Sequence, residues 1–363
     1  MSDRPVLVMA GGTGGHVFPG LAVARALTDA GVPVEWLGTH RGLEARLVPP
    51  AGIPVNFVSV GGLRGKSLMT RLLGPVRIVW AVIQSLVVMV RLRPRTVLGM
   101  GGFVSGPGGI AAWITRRRLV IHEQNAIAGL TNRLLSRLAG QVLQAFPSTF
   151  PEEVEAATVG NPVRPEISAI EAPATRLAIP RDRPRLLVFG GSQGALKINE
   201  VLPAALARLP DQIRPEVLHQ TGERTRDVAE EAYKAAGVHA DVRTFIDDMA
   251  GAYAWADLAV CRAGALTVSE LAEAGLGSVL IPFPAAVDDH QTRNAAHLQL
   301  AGAAHLIQER DLTPDSLAAI LEPLLADAEA RRTMAIAARS VAHPEALANI
   351  VQACLGTQGR MRQ

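Results

Sequence analysis

The sequence predicts an α/β protein of two Rossmann-like, doubly wound domains, and three observations carry that prediction. Short apolar runs enter Gly-rich turns at two places about half the chain apart. Val6–Ala10 leads into Gly11-Gly12-Thr13-Gly14-Gly15-His16, and residues 186–189 lead into Gly190-Gly191-Ser192-Gln193-Gly194-Ala195. Each turn opens helix-period sequence, with Leu21, Val23, Ala24 and Leu27 after the first and Ile198, Val201, Leu202 and Leu206 after the second. The 363 residues also exceed the roughly 250–300 that one core accommodates.

In the first half, strands are expected at 6–10, 34–37, 96–99 and 119–122, joined by helical sequence in the doubly wound alternation. Around Gly160-Asn161-Pro162-Val163-Arg164-Pro165 the chain turns Pro-rich, and Pro173, Pro180 and Pro184 follow, which places the hinge at 160–164. The second half offers strands at 186–189, 216–219, 242–245, 258–261 and 278–281. The expected domains are therefore 1–162 and 163–339. A C-terminal segment, 340–363, reads as helical over 340–355 and is expected to pack back on the first domain.

Composition narrows the setting. Hydrophobic residues make up 48% of the chain, enough for two cores, and the two cysteines, Cys261 and Cys354, show neither disulfide nor zinc spacing. Residues 1–5 are polar and run straight into the first strand without signal-peptide character, so an intracellular location is expected. The apolar run 78–90, interrupted at Gln84 and bounded by Arg77 and Arg91, is 13 residues long, too short to span a bilayer. Arg64, Lys66, Arg71, Arg77, Arg91, Arg93 and Arg95 surround it with no acid between 64 and 95. Two readings stay open: a surface for an anionic inner leaflet, or a core helix with solvated ends. Nucleic acid is not an expected partner, because aromatics are 4% and no nucleic-acid motif occurs.

A third turn, Cys261-Arg262-Ala263-Gly264-Ala265-Leu266-Thr267-Val268-Ser269-Glu270, closes an apolar strand and opens a helix. N–H groups at the positive end of a helix dipole suit a pyrophosphate. Glu270, three residues after Thr267, shares its face and is suited to accept from both ribose hydroxyls. The plain alternative is an ordinary capped helix in an α/β sheet.

Together, GGTGGHVFPG (11–20), GMGGFVSGPGG (99–109), HEQNA (122–126), GNPVR (160–164), GGSQGA (190–195), CRAGALTVSE (261–270) and DDHQTRNA (288–295) occur in order, and with them the whole chain resembles the MurG family of glycosyltransferases, family 28. The resemblance implies GT-B architecture, two Rossmann-like domains facing a central cleft. It also implies transfer, with inversion, of N-acetylglucosamine from UDP-N-acetylglucosamine to the C4 hydroxyl of a polyprenyl-pyrophosphoryl-muramyl-pentapeptide, lipid I giving lipid II. The implied location is peripheral, at the cytoplasmic face of the cell membrane. Cell-wall synthesis proteins are further implied partners.

By the same resemblance, Ala265, Leu266, Thr267, Val268, Ser269 and Glu270 hold the nucleotide and ribose, and Ile246 meets the uracil edge through its backbone. Ser192 contacts phosphate, Arg164 the donor and Gln291 the sugar, while Thr13, Gly14, Gly15 and Asn125 complete the donor site. Arg64 and Lys66, with Gly102 and Gly106, are expected to receive the acceptor's pyrophosphate. Inversion needs a base and no enzyme nucleophile. His16 is the first candidate and Glu123 the second, with a structural role for His16 equally open. No Asp-x-Asp motif occurs, and Asp247-Asp248 and Asp288-Asp289 read as helix caps. No cofactor or metal ligand is expected; a divalent cation has at most an indirect place beside the acceptor's pyrophosphate. Alternatives are an epimerase of the same sugar nucleotide, a non-catalytic sensor, and a nicotinamide dehydrogenase using Glu35, which Val17 at the third Gly position disfavours.

Overall fold

The computed structural model describes residues 4–60, 74–179, 181–191, 194–286 and 289–356. The chain forms two compact units, residues 1–162 with 344–363, and residues 163–343. Among the described residues the first unit contains β1 (Val6–Ala10), β2 (Val34–Gly38), β3 (Val55–Phe57), β4 (Thr96–Gly101), β5 (Arg118–Glu123), β6 (Gln141–Gln144) and β7 (Ala156–Thr158). All pair in parallel, in the order β3-β2-β1-β4-β5-β6-β7. Every residue of β1 and β4 is buried, which is why both read as unbroken apolar runs. Alternate residues divide between two layers. Val6, Val8 and Ala10 meet the helices Gly14–Asp29 and Ala346–Leu355, while Leu7 and Met9 pack with Val88, Met89, Ala111 and Ala112.

The second unit contains β8 (Arg185–Phe189), β9 (Glu216–Gln220), β10 (Asp241–Arg243), β11 (Leu258–Cys261), β12 (Ser278–Leu280) and β13 (Ala304–Leu306), parallel in the order β10-β9-β8-β11-β12-β13. Strand order reverses between β1 and β4 in one sheet and between β8 and β11 in the other. In open α/β sheets ligands bind outside the carboxyl ends of strands at such switch points. The three Gly-rich turns leave the carboxyl ends of β1, β8 and β11.

Four elements were not foreseen: β3, β6, β7 and β13. Each has three or four residues that include a polar one, so none reads as an apolar run as the equally short β11 does. The strand expected at 242–245 forms over Asp241–Arg243, and Phe245 is exposed. Ser340 ends a separate preceding helix, Ala328–Ser340, and the helix expected over 340–355 forms over Ala346–Leu355. Pro344 lies in the break, where its ring and missing N–H forbid continuation. The latter helix is fixed to the first sheet by hydrogen bonds from Thr96 Oγ1 to the Cys354 carbonyl (2.7 Å) and from Arg95 Nη2 to that of Leu355 (2.9 Å).

The apolar run 78–90 lies in a longer helix, Gly74–Leu92, whose 19 residues are by length and composition enough to cross a bilayer. Ala81, Ser85, Val88 and Met89 are buried, whereas Val76, Val79, Trp80, Ile83, Val87 and Val90 are exposed. The run is therefore neither a core helix with solvated ends nor uniformly exposed; it is two-faced.

Candidate functional site

The first Gly-rich turn opens the helix Gly14–Asp29, whose N-cap, Thr13, makes no side-chain cap and whose first turn holds no acid. The helices Leu196–Ala207 and Ala265–Ala274, which follow the other two turns, share both properties. Some other helices are capped by side chains, as where Asp248 accepts from Gly251 N (2.8 Å), Thr313 forms a capping box with Ser316, and Asp327 accepts from Glu329 N and Ala330 N, while others, such as Ser105–Ile114 and Ala346–Leu355, also start uncapped and acid-free. Uncapped, acid-free N-termini keep N–H groups and dipole directed at an incoming anion.

In the first unit His16 Nδ1 lies 2.8 Å from Gln124 Oε1. Gln124 Nε2 lies 3.0 Å from both the His122 carbonyl and His122 Nδ1, and His122 Nε2 lies 2.9 Å from the Gly160 carbonyl. Both His122 and Gln124 are fully buried, and burial pushes the His122 imidazole down to about 4. Gly101, at φ +103°, faces the ring: a Cβ there would sit 2.8 Å from His16 Cε1. Gly102 passes so near the first turn that a Cβ would lie 2.1 Å from the Gly11 carbonyl oxygen, which makes it a packing position.

Glu123 departs from its expected role. Its carboxylate, 1% exposed, accepts from Asn125 N (3.1 Å), Asn125 Nδ2 (3.2 Å), Gly129 N (3.1 Å) and Asn132 Nδ2 (2.9 Å). With its lone pairs committed to donors of the loop after β5, it organises that loop and Asn125 and is not offered to an acceptor hydroxyl. Gly106 lies within the helix Ser105–Ile114, whose Ser105 hydroxyl bonds the Met9 and Gly101 carbonyls (3.0 and 2.8 Å). Arg64, Lys66 and Ser192 lie outside the described residues.

In the second unit, Ala263 before the third turn is clamped on both sides. Its N–H donates to Gln291 Oε1 (3.2 Å) and its carbonyl accepts from Asn294 Nδ2 (3.2 Å). Gln291 Oε1 also takes the Phe283 N–H (2.9 Å), so this side chain sets the loop geometry. Glu270 Oε1 accepts from Arg164 Nη2 (3.2 Å) and Oε2 from the Tyr253 hydroxyl (3.0 Å). Burial raises the Glu270 carboxyl above its ordinary range, while the Arg164 charge acts the other way. Within the same helix Val268 is buried, Ala265 nearly so, and the Ser269 hydroxyl bonds back to the Ala265 carbonyl (3.1 Å).

Ile246 is 5% exposed. Gln220 Nε2 bridges the Gly191 and Thr244 carbonyls, each at 3.1 Å, and so ties the second turn to the Ile246 loop. Sequence reasoning missed Gln220, Tyr253, Gln124 and Glu44, a buried carboxylate that accepts from Gly12 N (3.2 Å) in the first turn. Gln124 was within reach, since HEQNA had been singled out; the others stand in stretches without a motif. Asp248 is a cap as expected, but Asp289 accepts from the Thr292 hydroxyl (2.7 Å) and caps no N–H, and Asp288 lies outside the described residues.

Comparison with known proteins identifies the family. The glycosyltransferase family 28 N-terminal domain matches residues 6–144 and the family 28 C-terminal domain matches 185–350. A UDP-N-acetylglucosamine–N-acetylmuramyl-(pentapeptide) pyrophosphoryl-undecaprenol N-acetylglucosamine transferase of Alkalilimnicola ehrlichii is 55% identical over 351 residues, 97% of this chain and 98% of that protein. The protein of the same description in Marinobacter nauticus is 52% identical over 358 residues, 98% of this chain and 99% of its own. The crystal structure of Acinetobacter baumannii MurG superposes with a TM-score of 0.87 at 39% identity, covering 98% of this chain and all of that one. With both domains matched and identity sustained over nearly the full length, the chain belongs to the MurG family of glycosyltransferases, family 28.

Proposed function

We propose that the protein transfers N-acetylglucosamine from UDP-N-acetylglucosamine, with inversion, to the C4 hydroxyl of a muramyl-pentapeptide carried on polyprenyl pyrophosphate. The observation that carries this reading is the placement of Gly-rich turns, each leading into an uncapped, acid-free helix N-terminus, at the carboxyl ends of β1, β8 and β11 beside the sheet switch points. The second unit holds the donor: the N-terminus of Ala265–Ala274 and the Gly190–Gly194 turn take the diphosphate, Glu270 the ribose hydroxyls and the Ile246 backbone the uracil. As the anomeric bond breaks, charge grows on the β-phosphate and is met by N–H groups already in place. Arg164 adds a positive charge beside Glu270. In the first unit, neutral His16 takes the proton of the acceptor hydroxyl as that oxygen attacks the anomeric carbon.

The acceptor's lipid places the work at a membrane surface. The exposed face of Gly74–Leu92, with Trp80 at 55%, Val87 at 62% and Val90 at 61% exposure, supports peripheral attachment of the first unit. Arg77 and Arg91 at its ends supply charge for an anionic leaflet. This helix keeps one face buried in its own unit, so the reading is a helix lying on the bilayer.

The test is UDP release from UDP-N-acetylglucosamine, with and without the lipid-linked muramyl-pentapeptide in detergent. Acceptor-dependent release with the sugar recovered on the lipid is expected. Donor binding without transfer to a competent acceptor would leave an epimerase or a sensor instead. His16→Ala, folded and binding UDP normally, is expected to lose about 10²–10⁴-fold in kcat.

A further inference from the structure

We propose that Gln124 is a positioning residue that, with His122, fixes the tautomer of His16 so that Nε2 is the atom that receives the acceptor's proton. The inference rests on the reading of His16 as the base.

The far end of the hydrogen-bond chain has no freedom. The Gly160 carbonyl only accepts, so His122 Nε2, 2.9 Å away, carries a hydrogen. His122 is fully buried, and burial keeps its imidazole neutral down to about pH 4, so Nδ1 is left with a lone pair. Gln124 must then present its NH₂ to that lone pair and to the His122 carbonyl, both at 3.0 Å. The reverse amide orientation would set an oxygen against two acceptors. Oε1 is thereby turned to His16 Nδ1 at 2.8 Å, and since an amide oxygen only accepts, Nδ1 carries the hydrogen. The lone pair of neutral His16 is left on Nε2.

Two features hold this chain in place. Asn161 Nδ2 donates to the Gln124 carbonyl (3.0 Å), fixing the backbone from which the amide projects. Gly101 leaves room for the ring where any Cβ would strike it. The device does with an amide what an orienting carboxylate does in other His-dependent sites: it selects the nitrogen that reacts. An amide adds no charge, so it orients the ring without the strong preference for imidazolium that a carboxylate would bring.

The experiment uses the full-length protein labelled with ¹⁵N at histidine, with resonances assigned from His16→Ala. The expected wild-type result is His16 as the Nδ1–H tautomer and His122 as the Nε2–H tautomer at neutral pH. Gln124→Met, which keeps length and removes both amide atoms, is expected to release His16 from Nδ1–H and lower kcat about 10²-fold or more, with the donor KM within about twofold. Gln124→Asn withdraws the amide by one methylene and is expected to do the same, which covers the case where Met does not fold. His16 found as Nε2–H in the wild type, or unchanged tautomer and kcat in a folded Gln124 variant while His16→Ala is inactive, overturns the inference and leaves the base standing. Full activity of His16→Ala overturns both.

Discussion

Glu44 offers the sharpest test of how the first Gly-rich turn is held. Its side chain is fully buried. Oε1 accepts from Thr39 N (2.9 Å) and Thr39 Oγ1 (2.7 Å), and Oε2 from Gly12 N (3.2 Å). Glycines make the space: a Cβ at Gly42, Gly38 or Gly11 would lie 2.1, 2.8 or 2.9 Å from Glu44 atoms. Glu44→Gln changes the chemistry without opening a cavity. The amide oxygen keeps both Thr39 bonds, and the NH₂ then faces the Gly12 N–H, donor against donor. Losing one charge-assisted bond and leaving a donor unpaired costs about 1.5–3 kcal/mol. Glu44→Ala also loses the Thr39 bonds and leaves a void, for a cost of roughly 3–5 kcal/mol. For a unit of this size the Gln variant lowers Tm by about 3–12 °C. Thermal and urea unfolding followed by tryptophan fluorescence would read it, because Trp36 donates to the Ala10 carbonyl at the entrance to the same turn (3.0 Å). The reasoning is refuted if Glu44→Gln unfolds within about 0.5 kcal/mol of wild type, or if Ala costs no more than Gln.

Two further outcomes are expected. Tyr253→Phe removes one of the two donors on Glu270 and, since that bond helps hold the carboxyl ionised, shifts the acid loss of UDP binding to higher pH; calorimetric titration across pH would show it, and a superimposable profile would count against the ribose role of Glu270. Acid stability is the second case. His122 titrates near 6.5 when unfolded but only at about 4 when folded, so the unfolded state binds more protons between those values. Stability therefore falls as pH drops from about 6.5 to 4, by on the order of 3 kcal/mol from this residue. His219, lowered by burial to about 3, acts in the same direction in the second unit. Urea midpoints over this range check the slope, and a His122 ring resonance titrating near 6.5 would contradict it.

The sequence by itself determined the two Rossmann-like sheets, because a parallel strand buried on both faces must be an unbroken apolar run and its turn must be Gly-rich. It also marked Glu270, whose hydroxyl-rich helix start is local. It did not reveal β3, β6, β7 or β13, since strands of three or four residues that include polar ones show neither a period nor an apolar run and are fixed by pairing with a neighbouring strand. Glu123 and Gln124 show the same limit at the site. As adjacent polar residues at the end of one strand they look interchangeable, yet one carboxylate turns into the following loop and the next side chain towards His16, 108 positions away in sequence. Glu44, Tyr253 and Gln220 likewise acquire meaning only through partners in other segments. Motifs record groups that neighbours in sequence hold together. The groups that orient them are buried polar side chains, and what those bond to is settled by which distant backbone the fold brings within 3 Å.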